Sequence, residues 1–370
     1  MNAIGVILCL LGVDFSGQDP LRLEEVARFG TLDDFTSVSA VSVSTDGKVA
    51  VVDGVERHVF ICTKDGRDCE LVGHRGQGPG EFEMVGRIGW RGDTLWVTDP
   101  LLGRVTRFSK TGAVYSSQAY QGPHLAEGLR ASSPDGYLVD GTQILMPSAS
   151  ASAMAGGVYP SLPVLAVRDG EVLAVVSNRP GGHQLWLIRF PDGGRMSTTQ
   201  PFAIVSDWDV FPDGRGTAFA RGIAPISNGR SNIEVVSIRD ISDTVFAVRI
   251  PYSPVRPQQS RVDSAIAFVT RELGRFWGDR VGADRAARAG LYVPEFLPPF
   301  SKVVAGVDGS VWLRREDPSV WMAIDQDGRL IGDLHLSQNA DLVQASLQSV
   351  IIASKDSLDR VQPVRYRVVR

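Results

Sequence analysis

The sequence predicts an all-β fold, and three observations carry that expectation. Short runs rich in β-branched and aromatic residues recur along the chain, among them KVAVVD, HVFICT, TLWVTD, RVTRFS, IEVVSI and SVWMAI. Asp-Gly, a turn signal, separates them ten times, beginning at Asp46, Asp53, Asp65, Asp135, Asp140, Asp169, Asp192, Asp213, Asp308 and Asp327. Strands of about five to eight residues bounded by such turns indicate a sandwich, barrel or propeller. The third observation chooses among these. VSVSTDGKVAVVDGVERHVFICTKDGRDCEL, RIGWRGDTLWVTDPLLGRVTRFSKTGAVYSS and VVAGVDGSVWLRREDPSVWMAIDQDGRLIGDL share one layout. Each has four strands, two tight turns and a loop after the second strand. A self-similar unit of about 40 residues with four strands is the mark of a β-propeller blade.

The blades count to six, with expected spans 37–74, 84–120, 129–190, 201–252, 301–336 and 340–370. The third is irregular, and its small-residue stretch PSASASAMAGGVYPS reads as a surface excursion. The last supplies only three strands. The segment LRLEEVARFG (21–30) precedes the first blade and is expected to provide the missing one, because closure removes exposed sheet edges that otherwise template aggregation. Residues 260–290 break the pattern: Val262, Ile266, Val269, Leu273, Phe276 and Trp277 recur at helical spacing, with Ser260 and Asp263 as a cap signal and Gly290 as a stop. One or two helices are expected there, as a buttress or plug, or alternatively as a lid.

The 370 residues carry a formal net charge of −4, and 22% are charged, without the basic excess of a nucleic-acid surface. An apolar run at residues 4–13 is too short to span a bilayer, for which about 20 residues are needed, and suits the core of a signal peptide. The expectation is a leader over 1–17, a propeller over 18–370, no transmembrane span after its removal, and a periplasmic or extracellular location. An ordinary buried strand is the alternative for that run.

Cys62 and Cys69 flank TKDGRD. With Asp65 and Gly66 in a two-residue turn, the cysteines lie directly opposite at a hydrogen-bonded pair, with Cα atoms about 5.5 Å apart, within disulfide reach. Export would favour the disulfide; two reduced thiols are the other outcome.

GHRGQGPGEF (73–82) tempts a phosphate-loop reading, yet such a loop needs a helix directly after it, and RIGWRGDTLWV is strand. It reads instead as the connector from the first blade to the second. GxGPGEF after a four-strand unit, with VVDG and WVTD ending second strands, resembles NHL-like six-bladed propellers, in particular exported bacterial ones. RIPYSP, FLPPFSKVVAGVDGSVWL and DSLDRVQPVRYRV fit the same resemblance. It implies the fold and says little about activity, because propellers host many functions.

Only five histidines occur, none in a zinc spacing, and no nucleophile elbow is present. The expected function is therefore that of a binding or interaction module, without cofactor, for a small anionic molecule, a peptide or a partner protein. A metal-dependent hydrolase or lyase, lactonase-like or peptidyl-hydroxyglycine-lyase-like, is the rival. Loops between blades and after second strands share one face, so the expected ligand-binding residues at the channel mouth are Arg57, His74, Arg75, Asp99, Arg104, Arg221 and Arg315. Arginine forks bind carboxylate or phosphate through paired hydrogen bonds. The competing structural role is loop closure, Asp53 with Arg57 and Asp99 with Arg104.

Overall fold

The computed structural model describes residues 20–131, 133–150, 158–223, 229–277, 282–358 and 360–369. The expected leader lies outside them. Six antiparallel four-stranded sheets succeed one another over residues 40–75, 88–119, 136–179, 208–252, 300–335 and 340–369. The chain is a six-bladed β-propeller. The sixth sheet is completed by Arg22–Arg28, which pairs antiparallel with Val361–Val369 from Arg22↔Val369 to Arg28↔Val364. The N-terminal segment thus supplies the outermost strand, as the three-strand count required.

Burial explains why the sheets stack. Alternate residues of each strand face the preceding and following blades, and apolar clusters fill each gap. Phe211, Val235 and Phe246 meet Phe300, Leu313 and Met322 between the fourth and fifth blades. Trp312 and Trp321 fill the next gap with Leu342 and Val350, and both indoles are fully buried. At the seam, Phe29, Val49, Val51, Cys62 and Ile351 join the sixth blade to the first. Burying each such side chain contributes about 1.5–3 kcal/mol before chain entropy is subtracted.

The turns differ from the two-residue expectation in all but one place. Asp169 and Gly170 both have positive φ, 51° and 80°, and form the expected two-residue turn between Arg168 and Glu171. Asp53 ends a second strand, with Gly54 opening the four-residue loop that returns to His58, and Asp135 immediately precedes an inner strand. In the remaining seven the glycine amide donates to the carbonyl three residues back, as Gly47 does to Ser44 and Gly328 to Asp325. Aspartate therefore sits inside a type I turn, and glycine follows it in the left-handed conformation that relieves the twist mismatch.

This changes the cysteine hairpin. Gly66 N–H donates to Thr63, and Thr63 N–H donates to Asp68, which leaves a four-residue loop. Cys62 still faces Cys69, but at a non-hydrogen-bonded pair, with Cα atoms 3.9 Å apart and the sulfurs bonded. Gly66 (φ 75°) packs so closely on the Arg28 carbonyl that any Cβ would overlap it. Its own carbonyl accepts from Gly30, so the disulfide loop of the first blade rests on the end of the closing strand.

The third blade ends at Arg179 rather than 190. Leu185–Arg189 and Arg195–Thr199 form a separate hairpin between the third and fourth blades. The helical insert is two helices, Gln259–Trp277 and Ala283–Gly290. Ile266, Val269, Ala286 and Ala287 bury Trp186, Ile188 and Phe190 of that hairpin, and Trp186 Nε1 donates to the Ala287 carbonyl. The first helix starts at Gln259, so the cap position is Gln258, two residues before the expected Ser260. The insert is a buttress built from two inter-blade connections.

Candidate binding basin

The channel has two ends. On the loop face emerge the inter-blade connections and the loops after second strands; on the turn face lie the tight turns joining inner strands to second strands.

None of the seven expected residues lines the axial cavities. Arg57 Nη1 pairs with Glu83 at 3.0 Å, and Arg315 with Asp333 at 2.9 Å. Arg221 pairs with Glu234, which also receives Arg249. Asp99 accepts the amides of Glu83, Met84, Leu101 and Leu102, and Asp53 likewise accepts Thr36, Ser37, Val55 and Glu56. These aspartates close loops through backbone N–H groups, not through Arg57 and Arg104. Arg104 instead donates to the carbonyls of Gln77, Gly78 and Glu81 and clamps the glycine-rich connector. Phe82, fully buried, pins that connector beside Phe108. His74 and Arg75 are exposed on it, with His74 Nδ1 3.3 Å from the Arg75 carbonyl.

The residues that do meet on the axis lie on or just before inner strands. Toward the loop face, Arg87 stands 3.6 Å from Asp135 and 3.8 Å from Asp209, so three successive blades are cross-linked by charge. Burial would lower the Arg87 pKa, but the two carboxylates outweigh it and hold it above its ordinary value. Burial pushes both Asp135 and Asp209 upward, with Arg87 pulling the other way. Lys302, also at this mouth, reaches Asp341 at 2.9 Å. The cavity left there is only about 170 Å³.

The turn face is different. A basin of about 730 Å³ opens there, lined from all six blades. Its walls include Trp90, Tyr137, Leu138, Pro212, Val307 and Ile351, and its charged residues are Arg91, Arg215 and Arg365 against Asp213 alone. A largely apolar pocket of about 300–1,000 Å³ with a few polar groups is the usual form of a small-molecule site. Arg215 is satisfied by Asp213, and Arg91 reaches the Val139 carbonyl. Arg365 is half-buried, stacks over Phe29 at 5.2 Å and donates to the Lys64 carbonyl, but has no carboxylate partner among the described residues. Desolvation lowers its pKa. No group of three His, Cys, Asp or Glu side chains suited to a metal ion occurs among the described residues.

No protein-family model matches the chain, and no curated protein matches it. Solved structures do resemble it. Virginiamycin B lyase from Staphylococcus aureus is 10% identical, with a TM-score of 0.41, covering 94% of this chain and 100% of its own. A candidate exported protein from Bacteroides fragilis is 10% identical at 0.46, covering 95% and 96%. The calcium-binding protein regucalcin from Agrobacterium tumefaciens is 9% identical at 0.39, covering 93% and 95%. Likeness at this level carries nothing about ligand or reaction.

The sequence reading missed the basin because it searched loops, where function usually resides. Every basin arginine lies instead on a strand or beside a tight turn. A signal was present: Arg365 alternates with Val364 and Tyr366 in a run otherwise suited to the core.

Proposed function

We propose that this propeller is a binding module whose ligand, a small anionic molecule or the anionic end of a peptide, seats in the turn-face basin with Arg365 as its anchor. One observation carries the reading: a half-buried guanidinium without a carboxylate partner on the wall of an apolar cavity. Buried charges are ordinarily paired, because desolvation penalises a lone one by several kcal/mol. A bound anion would supply the missing partner, and Trp90 and Tyr137 would cover its apolar body. Residues 1–17 would direct export, and the Cys62–Cys69 disulfide suits an oxidising compartment.

The test uses 8-anilinonaphthalene-1-sulfonate, an aromatic anion that fluoresces when desolvated. It should bind the parent protein and be displaced by apolar organic acids. Arg365→Met, which keeps an unbranched apolar side chain and removes the guanidinium, should weaken displacement about tenfold or more. An Arg75→Ala/Arg104→Ala variant should bind as the parent does. Equal affinities for parent and Arg365→Met would overturn the reading.

A further inference from the structure

Gln344 ends the inner strand of the sixth blade, and its position is the product of a bulge. Leu342 pairs with Ile352, whereas Gln344 pairs with Ile351, so Val343 has no opposite residue. Consecutive residues of a strand face opposite sides. Ile352 belongs to the cluster shared with the fifth blade, and Ile351 to the seam with the first. The extra residue therefore turns Gln344 away from the side Leu342 occupies and onto the side of Ile351. Bulges commonly re-aim a side chain in this way beside functional sites.

The row continues. Ile351 pairs with Arg365 on the next strand, so Gln344, Ile351 and Arg365 lie in line across three strands, and all three line the basin. Strand spacing puts the Cα atoms of Gln344 and Arg365 about 10 Å apart, with Ile351 between them. The Gln344 Oε1 atom is buried and accepts no hydrogen bond, and the residue is 6% exposed. A buried acceptor left without a donor is uncommon in a folded protein and costs stability.

We propose that the basin's ligand is an apolar organic acid carrying a hydroxyl or N–H donor at the end remote from its acid group, the donor meeting Gln344 Oε1 and the acid meeting Arg365. This rests on the basin being the binding site and adds the ligand's chemistry. Sites built to hydrogen-bond a substrate hydroxyl reject analogues that lack it, because the protein's own buried group is then left unpaired.

Two acids test this on the unaltered protein. 3-(4-Hydroxyphenyl)propanoate and 3-(4-methoxyphenyl)propanoate share anion, ring and oxygen, and only the first has a donor. The hydroxy acid should displace the fluorescent probe at about tenfold lower concentration. Gln344→Met should bring the hydroxy acid to the level of the methoxy acid and leave the latter within about twofold. Equal displacement by both acids from the parent, with Arg365→Met weakening both, would overturn the donor inference and leave the basin reading standing. Failure of both acids to displace the probe would overturn both readings.

Discussion

The two ends of one channel solve the problem of buried charge in opposite ways. At the loop-face mouth each lining cation has its carboxylate: Arg87 has Asp135 and Asp209, and Lys302 has Asp341. In the turn-face basin Arg365 has, among the described residues, a carbonyl and an aromatic face but no carboxylate. The first arrangement cross-links blades; the second leaves affinity unused. A charged residue on a propeller axis is therefore no guide to a site until its partners are counted.

The comparison breaks most completely at the seam. Arg365 pairs across to Ala27 of the closing strand, whereas Arg87, Asp135 and Asp209 belong to blades away from it. Deleting residues 21–30 should expose a sheet edge, abolish probe binding in the basin and lower the melting temperature by about 10 °C or more, with aggregation on heating. A truncated protein that melts, sediments and binds like the parent would refute the closure.

Arg87→Met tests the other end. The Arg87 side chain is 47% exposed and its contacts are 3.6 and 3.8 Å, so solvent screening holds the expected loss to about 1 kcal/mol, well below that of a fully buried pair. The sign of the pH dependence follows from the carboxyls. Burial raises Asp135 and Asp209 even beside Arg87, and removal of Arg87 would raise them further. A carboxyl raised on folding favours the protonated folded state, so the destabilisation is present at neutral pH and shrinks as pH falls through the raised pKa values. Urea denaturation of parent and variant at pH 7 and pH 5 should show the gap narrowing at pH 5. A constant gap would deny the pairing.

The smallest effect on probe binding links the disulfide to the basin. Lys64, within the Cys62–Cys69 loop, offers the carbonyl that holds Arg365. Replacing both cysteines by serine should cost about 2 kcal/mol and weaken probe binding several-fold. Free thiols in denatured, unreduced mature protein would show that the bond does not form. Unchanged affinity in the serine variant would detach the loop from the site.

Legibility in the sequence followed locality. Strands, turn positions and blade count came from alternation and repetition, which are local, and Arg22–Arg28 was found because a three-stranded last blade demands a partner. The hairpin at 185–199 was missed because Trp186 and Ile188 face the inserted helices rather than a blade. Of the expected site residues, Arg57, Asp99, Arg104, Arg221 and Arg315 are held by neighbours, as Arg104 is by three carbonyls, whereas His74 and Arg75 stay exposed. Whether an arginine is paired depends on contacts across blades, and the bulge that turns Gln344 leaves no trace in residue type.

The seam also imposes an order in time. Arg22–Arg28 is synthesised about 330 residues before Val361–Val369, an interval on the order of 20–60 s at about 5–20 residues per second. Throughout it the strand has no partner, yet four of the seven residues of RLEEVAR are charged, the composition that keeps a lone edge from pairing with another chain. A nascent chain stalled before the sixth blade would leave its first strand waiting and its ring open, so the ring closes only after Val361–Val369 has been made.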